Sequence, residues 1–475
     1  MISFWKYAFP SAVLFCLAGC AVQKYHAVSI DANVTAARFE SRNLADPGLK
    51  AFEEENLGHV ISPWPPESWD LQTLSLAALY FNPALESARA RIVSTKAALV
   101  TAGARPNPTL SIAPGIPSPY LLTLDFAIPI ETAGKRTHRL QVAHSIDQAA
   151  RFDLADSAWT IHSAVRTALL NYMLAIRTEE LFRSEEKVRD DQVRILEEIL
   201  SAGEIARQTV DLARSERNKT HLALVIAEGQ ATETKAALAA AVGIPLSAVQ
   251  SLEFTWPGLE TLPRAESLSF EEIKRQAVLN RLDLRRSLSQ YAAAEAALQL
   301  EIAKQYPDIN IGPGYTYEER HSFFTLGLST TLPLFNRNEG PIAEAEAHRV
   351  EASTSFLERQ AQAITRSERA LAAYRSALNE QAEVQSLSKL QDSQLQLLQE
   401  AIRAGTDNRL NLDSVEIQSW VLTRAQLDAL SRARKTFGEL EDAIQRPLEP
   451  GEKFIITSES PALRAPANNR DSDDF

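Results

Sequence analysis

Two stretches of this chain alternate strictly in polarity and then feed segments too long for any ordinary globular helix. In the first, Leu122, Leu124, Phe126, Ile128 and Ile130 alternate with Thr123, Asp125, Ala127 and Pro129. In the second, Phe324, Leu326, Leu328, Leu332 and Leu334 alternate with Thr325, Gly327, Ser329, Thr331 and Pro333. A period of two over this length predicts strands with one apolar face and one small or polar face. A turn follows each strand, at residues 131–135 and 335–340, and a helical pattern begins. No proline occurs between Pro129 and Pro245, or between Pro341 and Pro447. The helical pattern over residues 134–202 carries a narrow stripe at Leu181, Val188, Ile195 and Ile199. About 65 residues at about 1.5 Å each make a rod of about 100 Å.

The second stretch belongs to a repeat of the first. Residues 108–112 (PTLSI) are echoed by residues 307–311 (PDINI), and Pro114-Gly115 by Pro313-Gly314, all at an offset of 199. Pro129 is echoed by Pro333 at 204, and Ala202-Gly203 by Ala404-Gly405 at 202. The offset changes only across turns, where insertions collect. The expected plan is a tandem duplication of helix, hairpin, long helix, turn and helix. Residues 120–130 return after a proline-rich tip at residues 117–119, and the second tip, residues 318–322, is charged and longer. Pro114 lacks a ladder donor, so it belongs at a bulge, a strand end or an outward position. Val384, Leu387, Leu395, Leu398 and Ile402 form a second helical stripe. The first repeat starts at Asp70, the expected N-cap of a helical pattern that runs through residues 85–104 and stops at the prolines of residues 105–108, and before it a short helix is expected at residues 49–56.

Two hairpins give four strands of about the 9–11 residues that a tilted membrane strand needs. Four strands cannot close, and an open edge is not tolerated in lipid. If they span a membrane, two, three or four chains must share a barrel of 8, 12 or 16 strands. Tyr315 and Tyr317 suit an aromatic girdle. A thin apolar stripe on so long a rod also needs neighbouring rods to cover it. The expected fold is mainly α with a small membrane β-barrel standing on a long tube of paired helices.

The remaining composition excludes other classes. Among 475 residues the net charge is −12, which argues against a nucleic-acid partner. No nucleophile signature, phosphate-cradling glycine loop or Cys/His cluster is found, so neither an enzyme nor a resident cofactor or metal is expected. The two cysteines, Cys16 and Cys20, lie at the N-terminus, where Lys6 precedes an apolar run at residues 7–17. The run ends Leu17-Ala18-Gly19-Cys20, which resembles a bacterial lipobox and implies cleavage before Cys20 and lipid on that residue. Ala21 is not the aspartate that retains such lipoproteins at the inner membrane, which points to the outer one.

The lipobox, the duplicated plan and the two post-strand motifs, residues 130–136 (IETAGKR) and 333–340 (PLFNRNEG), together resemble the TolC-like outer-membrane efflux factors. The resemblance covers about residues 70–446, and the motifs are most similar to those of the heavy-metal branch, CzcC- and CusC-like. It implies a homotrimer with one shared 12-stranded barrel on a helical tunnel. It also implies helical tips that meet a periplasmic adaptor and an inner-membrane RND pump. The implied division is a signal peptide (1–19), a leader or belt segment (20–69), a first repeat (70–244), a belt connector (245–268), a second repeat (269–446) and a tail (447–475). The tips are residues 203–211 and 405–413, with turn glycines Gly203 and Gly405 and aperture or adaptor candidates Arg207, Thr209, Asp211, Asp407, Arg409, Asn411 and Asp413. The aspartate that the family places six residues after the glycine is here Thr209 or Asn411; Asp211 and Asp413 follow two later. The implied function is passive conduction of substrate, heavy-metal cations above all. The competing readings are a duct of the same fold for drugs or a secreted polypeptide, and a periplasmic adaptor or structural lipoprotein. An adaptor requires one helical hairpin and a lipoyl-like domain, where this chain offers two helical hairpins and four strands.

Overall fold

Capping residues and prolines set the ends of the helices. The computed structural model describes residues 24–115, 121–404, 409–449 and 463–464. The signal segment and Cys20 therefore lie outside the described residues, as do Gly405, Asp407 and the tip of the first hairpin. Residues up to Arg42 form one unit, and residues from Asn43 onward a second. The first unit holds helix α1 (Ala32–Glu40), whose cap Asp31 accepts from the Asn33 N–H at 2.8 Å.

In the second unit, α2 (Pro47–Leu57) starts with proline behind the cap Asp46 and ends at Gly58, φ 73°. A short strand β1 (Ser68–Trp69) leads to α3 (Leu71–Phe81). Asp70 and Thr73 close a reciprocal capping box, 2.9 Å to the Thr73 N–H and 3.1 Å to the Asp70 N–H. The helical pattern that starts at Asp70 is not one helix. Pro83 holds Asn82 in an extended conformation, ψ 120°, and α4 (Pro83–Gly103) starts afresh with Asn82 as its cap.

Strands β2 (Thr109–Gly115) and β3 (Leu121–Ile130) then lead into α5 (Lys135–Ser201), of 67 residues, and α6 (Arg207–Val242). At about 1.5 Å per residue α5 is about 100 Å long. Strand β4 (Glu253–Phe254) lies in the connector and pairs in parallel with β1, Trp69 opposite Phe254. Next come α7 (Phe270–Asn280), α8 (Leu282–Ala303), β5 (Ile309–Glu318), β6 (His321–Thr330), α9 (Glu339–Arg403) and α10 (Arg409–Ile444). The order helix, hairpin, long helix, helix thus occurs twice.

The apolar core divides in two. One cluster packs Leu74, Ala78 and Leu79 of α3 against Ala155, Trp159 and Val165 of α5 and Leu238 of α6. The other packs Ile273 of α7 against Leu371 and Tyr374 of α9 and Phe437 and Leu440 of α10. Leu463 joins the first cluster, and its carbonyl accepts from Arg89 Nε at 3.1 Å. Residues 463–464 are the only part of the stretch after residue 449 among the described residues, and Leu463 packs there against the first cluster.

The four long strands form one antiparallel sheet in the order β2-β3-β5-β6. Ile112, Leu124, Tyr315 and Phe324 lie in one cross-strand row, and Ile128, Ile311 and Leu328 in another. Phe324, Leu326 and Leu328 are 73–80% exposed, so the apolar face is bare. Pro114 lies in the edge strand β2, opposite Leu122 and one residue from the end of the strand, a place where a proline is tolerated. The second tip is tighter than expected. Glu319 and Arg320 take φ of 47° and 73°, a two-residue turn in which His321 already pairs with Glu318.

Candidate functional site

The strands join the long helices through a polar lock. Asp308, just before β5, accepts from the Thr132 N–H at 3.0 Å and from Lys135 Nζ at 2.6 Å. Thr132 Oγ1 donates to the Pro307 carbonyl at 2.8 Å. Lys135 is buried, and the pair, with the Thr132 bond, holds the Asp308 carboxyl below the usual carboxylate range against its own desolvation. Glu131 pairs with Arg139, which also reaches the carbonyls of Ala102 and Ala104 at the end of α4. Cationic donors suit a helix C-terminus. At the second junction, Asn338 takes φ 63° and donates through Nδ2 to the Glu301 carbonyl at 2.7 Å. The motifs 130–136 and 333–340 are thus strand-to-helix corners.

Below this corner α5 is tied twice to α10. Arg166 bridges Glu441 at 2.9 Å and Asp442 at 2.8 Å, and donates to the Gly438 carbonyl at 2.9 Å. A Cβ at Gly438 would lie 3.0 Å from Arg166 Nε, so glycine makes room for the guanidinium. Asp442 also accepts from Trp159 Nε1 at 3.0 Å and Ser163 Oγ at 2.7 Å. Burial pushes Glu441 up to about 7 although Arg166 pulls it down. Nearby, His162 is fully buried and bonded to Ser75 at 2.8 Å, and desolvation holds it well below the usual imidazole range. The second tie is Glu185, buried between α5, α6 and α10. It pairs with Arg189 at 2.8 Å and Arg424 at 3.4 Å and accepts from Thr220 at 3.4 Å. Arg424 also stands 5.2 Å from the Phe182 ring centroid. Sequence reasoning missed both ties, because their partners are more than 230 residues apart.

At the first tip Gly203 has φ 80°, a conformation that favours glycine. Its N–H donates to the Leu200 carbonyl at 2.9 Å. Arg207, Thr209 and Asp211 are exposed. Asp211 lies 3.9 Å from Arg207 and 3.8 Å from Arg214, and Arg214 pairs across the tip with Glu197 at 2.6 Å. At the second tip Arg409 starts α10, Asn411 is exposed and Asp413 is fully buried. The two aspartates at matching positions are therefore unlike in environment. Among the described residues no group of His, Cys, Asp and Glu is placed to hold a metal ion, and no helix is long and apolar enough to cross a membrane.

Comparison with known proteins agrees with this geometry. Residues 74–244 match the family model "Outer membrane efflux protein". The chain is 26% identical over 290 residues to the cobalt-zinc-cadmium resistance protein CzcC of Cupriavidus metallidurans, covering 60% of this chain and 67% of that one. It is 24% identical over 301 residues to the pyoverdine export outer membrane protein OpmQ of Pseudomonas aeruginosa, covering 56% and 61%. Its fold matches the solved structure of CusC with a TM-score of 0.61 at 17% identity, over 81% of this chain and 95% of that one. It matches VceC of Vibrio cholerae with a TM-score of 0.63 at 21% identity, over 80% and 97%. The fold is thus mainly helical and like that of the TolC-like channels CusC and VceC, and residues 74–244 resemble the outer membrane efflux proteins.

Proposed function

We propose that this chain is the outer-membrane duct of a tripartite RND-type efflux system and that it passively conducts heavy-metal cations out of the cell. The observation that carries the reading is a four-stranded sheet, apolar on one face and open at both edges, in series with two long helical hairpins. Such edges must be closed by other strands before the sheet enters lipid. Three copies close a barrel of 12 strands, and their hairpins line a periplasmic tunnel. The duplicated halves, residues 70–244 and 269–446, each give one hairpin of either kind. The parallel pairing of β1 with β4 and the docking of Leu463 support a belt made from the leader, the connector and the tail. Lipid on Cys20 anchors the chain.

The tips engage the adaptor, which links the duct to the inner-membrane pump. Arg207, Thr209, Asp211 and Asn411 suit that contact, and Asp407, Arg409 and Asp413 a polar aperture beside the turn glycines Gly203 and Gly405. The duct holds no cofactor and catalyses nothing. Tight metal ligation would oppose passage, so metal selection resides in the pump. The relation to CzcC favours metal cargo, and the relation to OpmQ favours an organic cargo in the same duct.

The test is a deletion strain grown on divalent metals, Cu/Ag and hydrophobic drugs, with cell metal measured. Selective metal sensitivity with raised cell metal is expected. Drug sensitivity alone would keep the duct and overturn the metal cargo.

A further inference from the structure

The internal symmetry of the sheet fixes how one copy joins the next. First strands of the two hairpins are related by the offset 199 and second strands by 204. In an antiparallel ladder, paired residue numbers share a constant sum. That sum is 236 for β2 with β3, where Thr109 faces Ala127, and 639 for β5 with β6, where Ile309 faces Thr330. Adding both offsets to the first sum gives the second, so the two hairpins obey one register rule. The seam between hairpins, β3 with β5, has the sum 439, where Ile130 faces Ile309. Its symmetric counterpart joins β6 to a β2. This chain's own β2 lies at the opposite edge of the sheet, so a second copy must supply it. Shifting β3 forward by 204 and β5 back by 199 gives a sum of 444.

We infer that residues 331–334 extend β6 along β2 of a neighbouring copy, with Leu334 opposite Leu110, Leu332 opposite Ile112 and Thr330 opposite Pro114. This deepens the shared-barrel reading and rests on it. The alternation of polarity supports the register independently. The apolar positions of both strands are even-numbered, so only an even sum keeps one face apolar, and a slip of one residue would flip every side chain. The exposed segment supports it too. β3 runs on to Ile130, whose counterpart is Leu334, but β6 stops at Thr330. Beyond that point the Leu334 N–H turns back onto the Leu332 carbonyl at 2.9 Å. Leu332, Leu334 and Phe335 are 68%, 72% and 102% exposed, and Leu110 and Ile112 on the opposite edge are 52% and 59% exposed.

The two seams differ in chemistry. At the seam within the chain, Asp308 locks Thr132 and Lys135. The counterparts at the seam between copies are Thr109, Asn336 and Glu339, which form no such ion pair, and Phe335 stands where Glu131 stands. The seam between copies is closed by ladder bonds and apolar contact, without the lock.

Cysteine pairs in the full-length chain test the register. The matched pairs are Leu334→Cys with Leu110→Cys, and Leu332→Cys with Ile112→Cys. A displaced pair, Thr330→Cys with Leu110→Cys, is four residues out of register, or about 13 Å along the strand. A disulfide needs Cα atoms within about 7 Å. Outer membranes are oxidised, run without reductant and compared with the parent chain, and the mass of the assembly in detergent is measured in parallel. Both matched pairs are expected to give covalent trimer at least tenfold above the displaced pair. A trimer that links through the displaced pair, or through neither matched pair, would overturn the register and leave the duct standing. A monomer in detergent with no links would overturn the duct along with it.

Discussion

Glu53 carries a charge problem that the fold solves by protonation. It lies fully buried on α2 beside Leu49 and Phe52, and neither carboxyl oxygen has a hydrogen-bond partner among the described residues. Burial pushes it up to about 8, and the Asp70 carboxylate adds to the shift. A neutral acid in an apolar core costs far less than an ionised one. Between the usual carboxylate range and pH 8, the folded chain therefore keeps a proton that the unfolded chain has lost. Stability conferred by this site falls as pH rises through that window, by up to about 1.4 kcal/mol per pH unit. Glu53→Gln keeps the shape and removes the titration. Urea unfolding at pH 5 and pH 8 is expected to show the variant more stable than the parent at pH 8, by a few kcal/mol, with the gap closing toward pH 5. A gap of the same size at both pH values would mean that Glu53 does not titrate in this window. Nothing local in the sequence marks this residue: in the run Glu53-Glu54-Glu55 only the packing of α2 decides which carboxyl is buried.

The corner between β3 and α5 shows what an element-scale reading can and cannot find. Strand β3 was legible because period two persists over its ten residues, and α5 because no proline interrupts it. Gly134, φ 72°, marks the end of the turn. The lock itself was not legible, since Asp308 lies 173 residues from Lys135 and reads in isolation as one polar residue after proline. The break at Asn82-Pro83 was missed for a different reason: the two helices abut without a loop, so the apolar pattern runs through the cap. The packing of Leu463 was not legible either, because it is one leucine in a polar stretch. Removing the lock should cost more than removing an exposed ion pair. Asp308→Ala leaves Lys135 buried without its carboxylate and the Thr132 N–H without its acceptor, an expected loss of about 2–4 kcal/mol. Asp308→Asn keeps an acceptor for Thr132 and should lose less. Unfolding midpoints of both variants against the parent check this, and equal midpoints for all three would show that Asp308 is not structural.

At the scale of the whole chain, the two halves meet in the sheet, where α5 packs on α8 with Arg286 paired to Asp153 at 2.5 Å, and where α5 packs on α10, and this last coupling is uneven along its length. The Arg166 tie is double, buried and backed by Trp159 and Ser163. The Glu185 tie to Arg424 is single and 3.4 Å long, and the arginine is still about a third exposed. From Glu185 to the end of α5 at Ser201 is another 16 residues, about 24 Å of helix. Across that distance the sequence supplies polar tip residues, of which Arg207, Thr209, Asp211 and Asn411 are exposed. In the proposed duct, a far end that yields to a partner would need firm anchoring near the strands and a weaker tie farther along, which is the order of these two α5–α10 ties. The Arg424 tie is the place to test it. Arg424→Ala removes the cation that joins Glu185 to the second half and its stacking on Phe182, and Arg424→Lys keeps the charge without the planar stack. With the tie gone, α9 and α10 can swing away from α5 and α6 on the hinge left at Arg166. In planar bilayers the alanine variant is expected to conduct at least twofold better per channel than the parent, with the lysine variant between them. The strands and the Arg166 tie are untouched, so the mass of the proposed trimer should not change. Unchanged conductance in Arg424→Ala would place the control of the far end entirely in the tip residues and remove α5–α10 coupling from the mechanism.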